Sequence, residues 1–145
     1  MCYSTRVIPF RWSPQAGVPI YQQVVYAAKR ALISGQIMPG DRFPSVRALS
    51  QSLKINPNTA HKVINQLVSE GLLEVYPGVG TLAAKLPGSS ARERSQLLRD
   101  ELEGLVVDAI KLKLELDDVL QAVTEHWERL SSRSRAQELS GQRKG

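Results

Sequence analysis

The chain has 145 residues, a net charge of +5 and 42% hydrophobic residues, which suits one ordinary domain or two small ones. No stretch approaches the roughly 18 apolar residues needed to span a bilayer, and the N-terminal "MCYSTRVIPFRW" has no apolar h-region, so neither a membrane anchor nor a signal peptide is expected. Cys2 is the single cysteine, which excludes an internal disulfide and fits a reducing cytoplasm.

Residues 1–16 are irregular and punctuated by proline. A helix is expected from Pro19, a residue suited to a first helical turn, with Ile20, Val24, Ala27, Ala28 and Leu32 at helical spacing and Gly35 as its stop. "MPGDRF" is turn chemistry, with the bend at Pro39-Gly40. A short helix follows, "SVRALSQSL", with Ser45 as the candidate N-cap. Asn56 caps the next helix and Pro57 takes its first position. Its core-facing stripe is Ala60, Val63, Ile64, Leu67 and Val68, and Gly71 ends it. "LLEVYPGVGTLAA" reads as a hairpin of short strands joined at Pro77-Gly78-Val79. "KLPGSSARERS" is a linker by composition.

From Ala91 onward the pattern is helical again. Leu98, Leu102, Leu105, Ala109, Leu112, Leu116, Val119 and Val123 alternate spacings of four and three, and Trp127 continues the stripe. One long coiled-coil helix fits this spacing; so does a break near residues 113–117, because "ELDD" resembles a helix start with acids in its first turn. The tail, residues 132–145, is polar and expected to be disordered.

Charge follows the same division. Residues 17–86 hold seven Lys/Arg against three acids, residues 91–130 six against ten, and residues 131–145 four against one. A basic front module and an acidic, leucine-rich back module imply different tasks, although solvated surfaces alone also produce such a pattern.

Catalytic chemistry finds no support. His61 and His126 lie on different modules without another His or Cys at ligand spacing, so no metal or other cofactor is implied, and no serine has the partners of a triad. Asp117 and Asp118 are adjacent, so they cannot share one helix face. No phosphate-binding loop is present.

The expected fold is mostly α-helical with a small β-hairpin: a winged helix-turn-helix over residues 17–86, then a short helical dimerisation module over residues 91–131. In such a fold the third helix buries one face and offers the other to the major groove of double-stranded DNA. Asn58, Thr59, His61, Lys62, Asn65 and Gln66 supply donors and acceptors for phosphates and base edges. Helices as short as those of the back module cannot bury their own stripe and Trp127 unaided, so a homodimer on a roughly palindromic operator is expected. The rival from another class is a winged-helix protein-interaction module without DNA specificity.

The run from Pro19 to Leu82 also resembles the GntR-type bacterial transcription regulators, through "GQIMPGDRFPSVRAL", "INPNT" and "LVSEGLLEVYPGVGT". "GVPIYQQV" and the short helical tail resemble the YtrA-like branch, which lacks a large effector domain. The resemblance implies a DNA-binding homodimer that represses transcription, often near transporter operons, with any small-molecule effector unspecified. It places Ser45 and Arg47 at family positions that touch DNA, Asn58, Thr59, His61 and Lys62 at the front of the recognition helix, and Gly78 and Gly80 at the wing tip beside the minor groove. Lys54 stands where the family usually has a turn glycine, Pro77 and Val79 where wing tips carry Arg or Lys, and Lys113 where relatives often have a glycine between the tail helices.

Overall fold

The computed structural model describes residues 8–10 and 12–143, with side chains as far as residue 131. It divides into two compact units, one containing residues up to Pro87 and one spanning Gly88–Ser132.

The first unit is built from α1 (Ile20–Ile33), α2 (Val46–Leu53), α3 (Pro57–Ser69) and the antiparallel pair β1 (Leu73–Tyr76) and β2 (Gly80–Ala83). Helix α1 buries Val24, Val25, Ala28, Ala31 and Leu32. The stripe is shifted from the sequence expectation: Ile20 is exposed and Ala27 only half-buried. Helix α2 starts where the Ser45 hydroxyl accepts the Ala48 N–H at 3.1 Å. Helix α3 starts where the Asn56 side chain accepts the Asn58 N–H at 2.8 Å, with Pro57 in the first turn. Each cap satisfies an N–H that the helix itself leaves open. Helix α3 then buries Ala60, Val63, Ile64 and Leu67, with Val68 half-buried against the same core.

The turn between α2 and α3 passes through Lys54, at φ 56°. The left-handed conformation costs an L-residue about 1–2 kcal/mol. Hydrogen bonds close around it: the Ile55 N–H reaches the Ser50 carbonyl at 3.1 Å, and the Ser50 hydroxyl donates to the Ile55 carbonyl at 2.7 Å.

The hairpin pairs Leu73 with Ala83 and Tyr76 with Gly80. Its free edge is covered. Arg42 bridges to Leu82, and the bonds Gly40 N–H to Ala83 O, Ala83 N–H to Asp41 O and Phe43 N–H to Thr81 O are all 2.8 Å. The "GDRF" run, expected as turn only, therefore doubles as a minimal third strand. The core also reaches N-terminal to residue 17: Ile8 and Phe10 are buried, and Phe10 stacks on Phe43 at 6.1 Å between ring centroids.

The second unit contains α4 (Ala91–Gln96), a π-helical turn (Leu97–Glu101), α5 (Leu102–Lys111) and the first part of α6 (Leu116–Arg143). A capping box opens α4: the Ser90 hydroxyl accepts the Glu93 N–H at 3.1 Å, and the Glu93 carboxylate accepts the Ser90 N–H at 2.6 Å. The Ser90 N–H, and after it the Ser90 hydroxyl, hold the Glu93 carboxyl below its usual range. Helix α5 stops at Lys113, again left-handed with φ 60°. There the Leu114 N–H bonds Ala109 O and the Lys113 N–H bonds Ile110 O, both at 3.0 Å, which is a Schellman closure. Helix α6 restarts with the Glu115 N–H donating to the Asp118 carboxylate at 2.9 Å. The chain thus forms separate helices here rather than one long one. Residues 132–143, expected as disordered, continue α6 as far as Arg143. Polarity alone misjudged them: the stretch has no proline, and eight of its twelve residues are Arg, Gln, Ala, Glu or Leu, which favour helix. Residues 144 and 145 of the tail lie outside the described residues.

Candidate nucleic-acid interface

Helix α3 is held by more than its apolar stripe. The Tyr21 hydroxyl on α1 donates to the Gln66 side-chain oxygen at 3.1 Å, and Lys29 on α1 pairs with Glu70, the residue after α3, at 2.7 Å. Both ends of that pair are about a third exposed (35% and 33%), so its contribution is that of a surface ion pair, ~0–1 kcal/mol. Gln66, grouped in the sequence with the groove-facing residues, instead turns half-buried toward α1.

The outer face of α3 presents Asn58, His61, Lys62 and Asn65, all exposed, with Thr59 half-buried. His61 and Asn65 are one turn apart, and the Asn65 amide lies 3.4 Å from His61 Nδ1. A neutral imidazole offers one donor and one acceptor nitrogen, and which of them faces outward depends on the tautomer.

Between α3 and the wing lies a cleft of about 440 Å³, lined in part by Arg42, Ser45, His61, Asn65, Val79, Gly80 and Thr81. It gathers Ser45, His61, Asn65 and Gly80 from the sequence-derived set. Arg47, Asn58, Lys62 and Gly78 are exposed but do not line it. Arg42 was missed by sequence reasoning, which treated its segment as a bend. The available signal was its place beside Phe43, a charged residue next to an apolar one, as in a short half-buried strand.

The wing tip is shaped by glycine. Gly78 and Gly80 have φ of 79° and 123°, and a Cβ at either would meet nothing within 4 Å, so backbone conformation and not crowding selects them. Around them Val75 and Val79 are 60% and 50% exposed. The Tyr76 hydroxyl donates to the Glu74 carboxylate at 2.5 Å. That bond, with the charge of Glu74, pushes the Tyr76 phenol above its usual range.

The winged-helix region coincides with a match to the family of bacterial regulatory proteins called the gntR family, over residues 20–82. Over 113 residues the chain is 31% identical to the HTH-type transcriptional repressor YtrA of Bacillus subtilis, covering 77% of this chain and 87% of that protein. The chain belongs to the GntR family. It is also similar to the uncharacterized HTH-type transcriptional regulator YhcF of the same organism, at 30% identity over 75% of this chain and 90% of that one. Coverage of these short regulators nearly end to end marks it as YtrA-like. Among solved structures, a transcriptional antiterminator from Listeria monocytogenes shares the fold with a TM-score of 0.73, at 23% identity over 83% of this chain and 91% of that one. A transcriptional regulator from Oenococcus oeni has a TM-score of 0.55 at 25% identity, over 78% and 94% of the chains. The two B. subtilis relatives are transcription regulators by name. Among the described residues no helix is long and apolar enough to cross a membrane.

Proposed function

We propose that this GntR-family chain is a sequence-specific DNA-binding repressor that acts in the cytoplasm as a homodimer on a roughly palindromic operator. The observation that carries the DNA reading is the outer face of α3. It is capped, pinned to α1 at Gln66 and Glu70, and set beside the wing across a cleft lined by Arg42, Ser45, His61 and Asn65. A rigid helix with an exposed polar face and nearby cations suits a major groove flanked by phosphates. Gly78 and Gly80 give the wing tip the backbone access that a minor-groove contact requires, while Pro77 and Val79 remove the cations usual there.

Support for the dimer comes from the second unit. Leu98, Leu102, Leu105, Leu112, Leu116, Val123 and Trp127 are between 41% and 71% exposed in the single chain. Val119 is half-buried, and Ala109 is buried. Apolar area of this extent calls for a second surface, and a copy of the same stripe supplies it. Repression is the activity in the name of the B. subtilis relative YtrA. The YtrA-like resemblance extends the proposal to a transporter operon as the regulated target.

A mobility-shift titration with the DNA upstream of the chain's own gene, against random DNA of equal length, tests the reading. The expected result is a saturable complex of protein dimer on a specific site. Equal binding to both DNAs, or none, would return the winged helix to the protein-interaction reading, which the apolar wing tip also fits.

A further inference from the structure

On the side of α1 away from its main stripe, Gln23, Tyr26, Ala27 and Arg30 recur at helical spacing and line a cavity of about 890 Å³. The opposite wall is the segment around Phe10 and Trp12, and the far end is the last turn of α2 with Lys54. The cavity shares no lining residue with the cleft between α3 and the wing.

The N-terminal wall is tied to α1. Gln23 staples the N-terminal segment to α1: its side-chain oxygen accepts the Gln15 N–H at 2.8 Å, and its amide donates to the carbonyls of Gln15 at 2.9 Å and Val18 at 2.6 Å. The buried Phe10, stacked on Phe43, anchors the same segment in the core.

The chemistry of the lining is one-sided. No acidic side chain among the described residues lines the cavity. Arg30 and Lys54 are exposed at it and have no ion-pair partner among the described residues. The indole nitrogen of Trp12 is itself buried, with no hydrogen-bond partner among the described residues. Cations beside an aromatic wall are complementary to a ligand that is negative at one end and apolar in its body. Bare phosphate would leave the aromatic wall unused, and an uncharged aromatic would leave the cations unused.

We propose that this cavity, walled by Phe10, Trp12 and Tyr26 and bounded by Arg30 and Lys54, is a binding site for a small organic carboxylate with an aromatic or branched apolar body. The carboxylate meets Arg30 and Lys54, and the body lies along the aromatic wall. A ligand there rests against Lys54, the residue that turns the chain from α2 into α3, so the site adjoins the element that sets the angle of the outward-facing helix. The binding step itself does not depend on the DNA reading.

The test uses the full chain labelled with ¹⁵N and titrated with sodium benzoate, benzamide or inorganic phosphate. The readout is the indole N–H signal of Trp12, assigned with Trp127→Phe because the chain has two tryptophans. Benzoate is expected to shift that signal saturably, with benzamide and phosphate each at least about tenfold weaker, the equivalent of one lost charge-assisted contact. Arg30→Gln and Lys54→Gln should each weaken benzoate by about tenfold. Arg30 is exposed and its side chain makes no bond that holds α1, so Arg30→Gln should leave the melting temperature unchanged. No saturable shift with benzoate, equal binding of benzamide or of phosphate, or unchanged benzoate affinity in both variants would each overturn the proposal.

Discussion

Replacing Leu105 tests the proposed dimer, and the structure sets the size of the effect. Leu105 sits in the middle of α5 and is 49% exposed in the single chain, so about half of its burial remains to be gained from a partner. Full burial of a leucine is worth about 1.5–3 kcal/mol, so the unused half is about 1 kcal/mol. Two-fold symmetry presents it twice, and Leu105→Ala should therefore cost the dimer roughly 2 kcal/mol, about thirtyfold in Kd. Leu105→Asp adds a carboxylate forced against an apolar surface, a penalty of at least about 2 kcal/mol per copy. The total then reaches roughly 6 kcal/mol, about four orders of magnitude in Kd. Sedimentation velocity at about 1 µM, a concentration at which a dimer of nanomolar Kd is almost fully assembled, should show a dimer for wild type, mostly dimer for Leu105→Ala, and mostly monomer for Leu105→Asp with its helical circular dichroism retained. A monomeric wild type would refute the reasoning, as would a Leu105→Asp protein that stays dimeric.

Other expected outcomes concern DNA and pH. Arg42→Ala and Arg47→Ala should each lower the salt slope of operator binding by about 0.9 per site, hence about 1.8 for a dimer; an unchanged slope removes the residue from the interface. His61→Ala should relax preference at one base per half-site, costing about 1–3 kcal/mol against the native operator only, whereas Lys62→Ala should weaken all sequences alike; selection from randomised DNA separates the two. Ser90→Ala removes the hydroxyl but keeps the backbone N–H that is the larger cause, so it should move the depressed Glu93 carboxyl only part of the way back toward the ordinary glutamate range, read by NMR titration of its side-chain carbon. Because the folded-state pKa is the lower one, the stabilisation from this group is present above the unfolded value and is lost as pH falls through the folded one; a Glu93 titration unmoved by Ser90→Ala would deny that the Ser90 hydroxyl contributes, and one fully restored would deny that the backbone N–H is the larger cause.

What the sequence made legible was what repeats. The stripe of α3 and its Asn56-Pro57 start are periodic and punctuated, and the structure places them where the pattern does. The wing is legible because Gly78 and Gly80 bracket a turn that other residues adopt poorly. What stayed hidden was set by contacts without a period. Ile8 and Phe10 are isolated apolar residues in a proline-punctuated segment, and only the Phe10–Phe43 stack reveals them as core. Arg42 belongs to a strand too short to alternate visibly. Gln66 lies at the edge of the buried stripe, and its direction is decided by Tyr21, a residue 45 positions away. A helical wheel places such an edge residue on either side.

The left-handed lysines show the same limit and something more. Across Lys113 the four-and-three spacing runs unbroken from Leu112 to Leu116, so periodicity could not register the break. The Schellman bonds at Ala109 and Ile110 recover the carbonyls that the break exposes, and they offset part of the conformational cost. Lys54 bears the same kind of cost at the turn into α3, where glycine would serve the backbone better. Strain alone does not mark a functional residue, since Lys113 is equally left-handed and lines neither cavity. Lys54 differs in what its side chain adds. It brings to the α1 cavity a second cation in addition to Arg30, which glycine could not supply. A turn that accepts strain while gaining a charge at a cavity without acids is better explained by a ligand for that charge than by the turn itself.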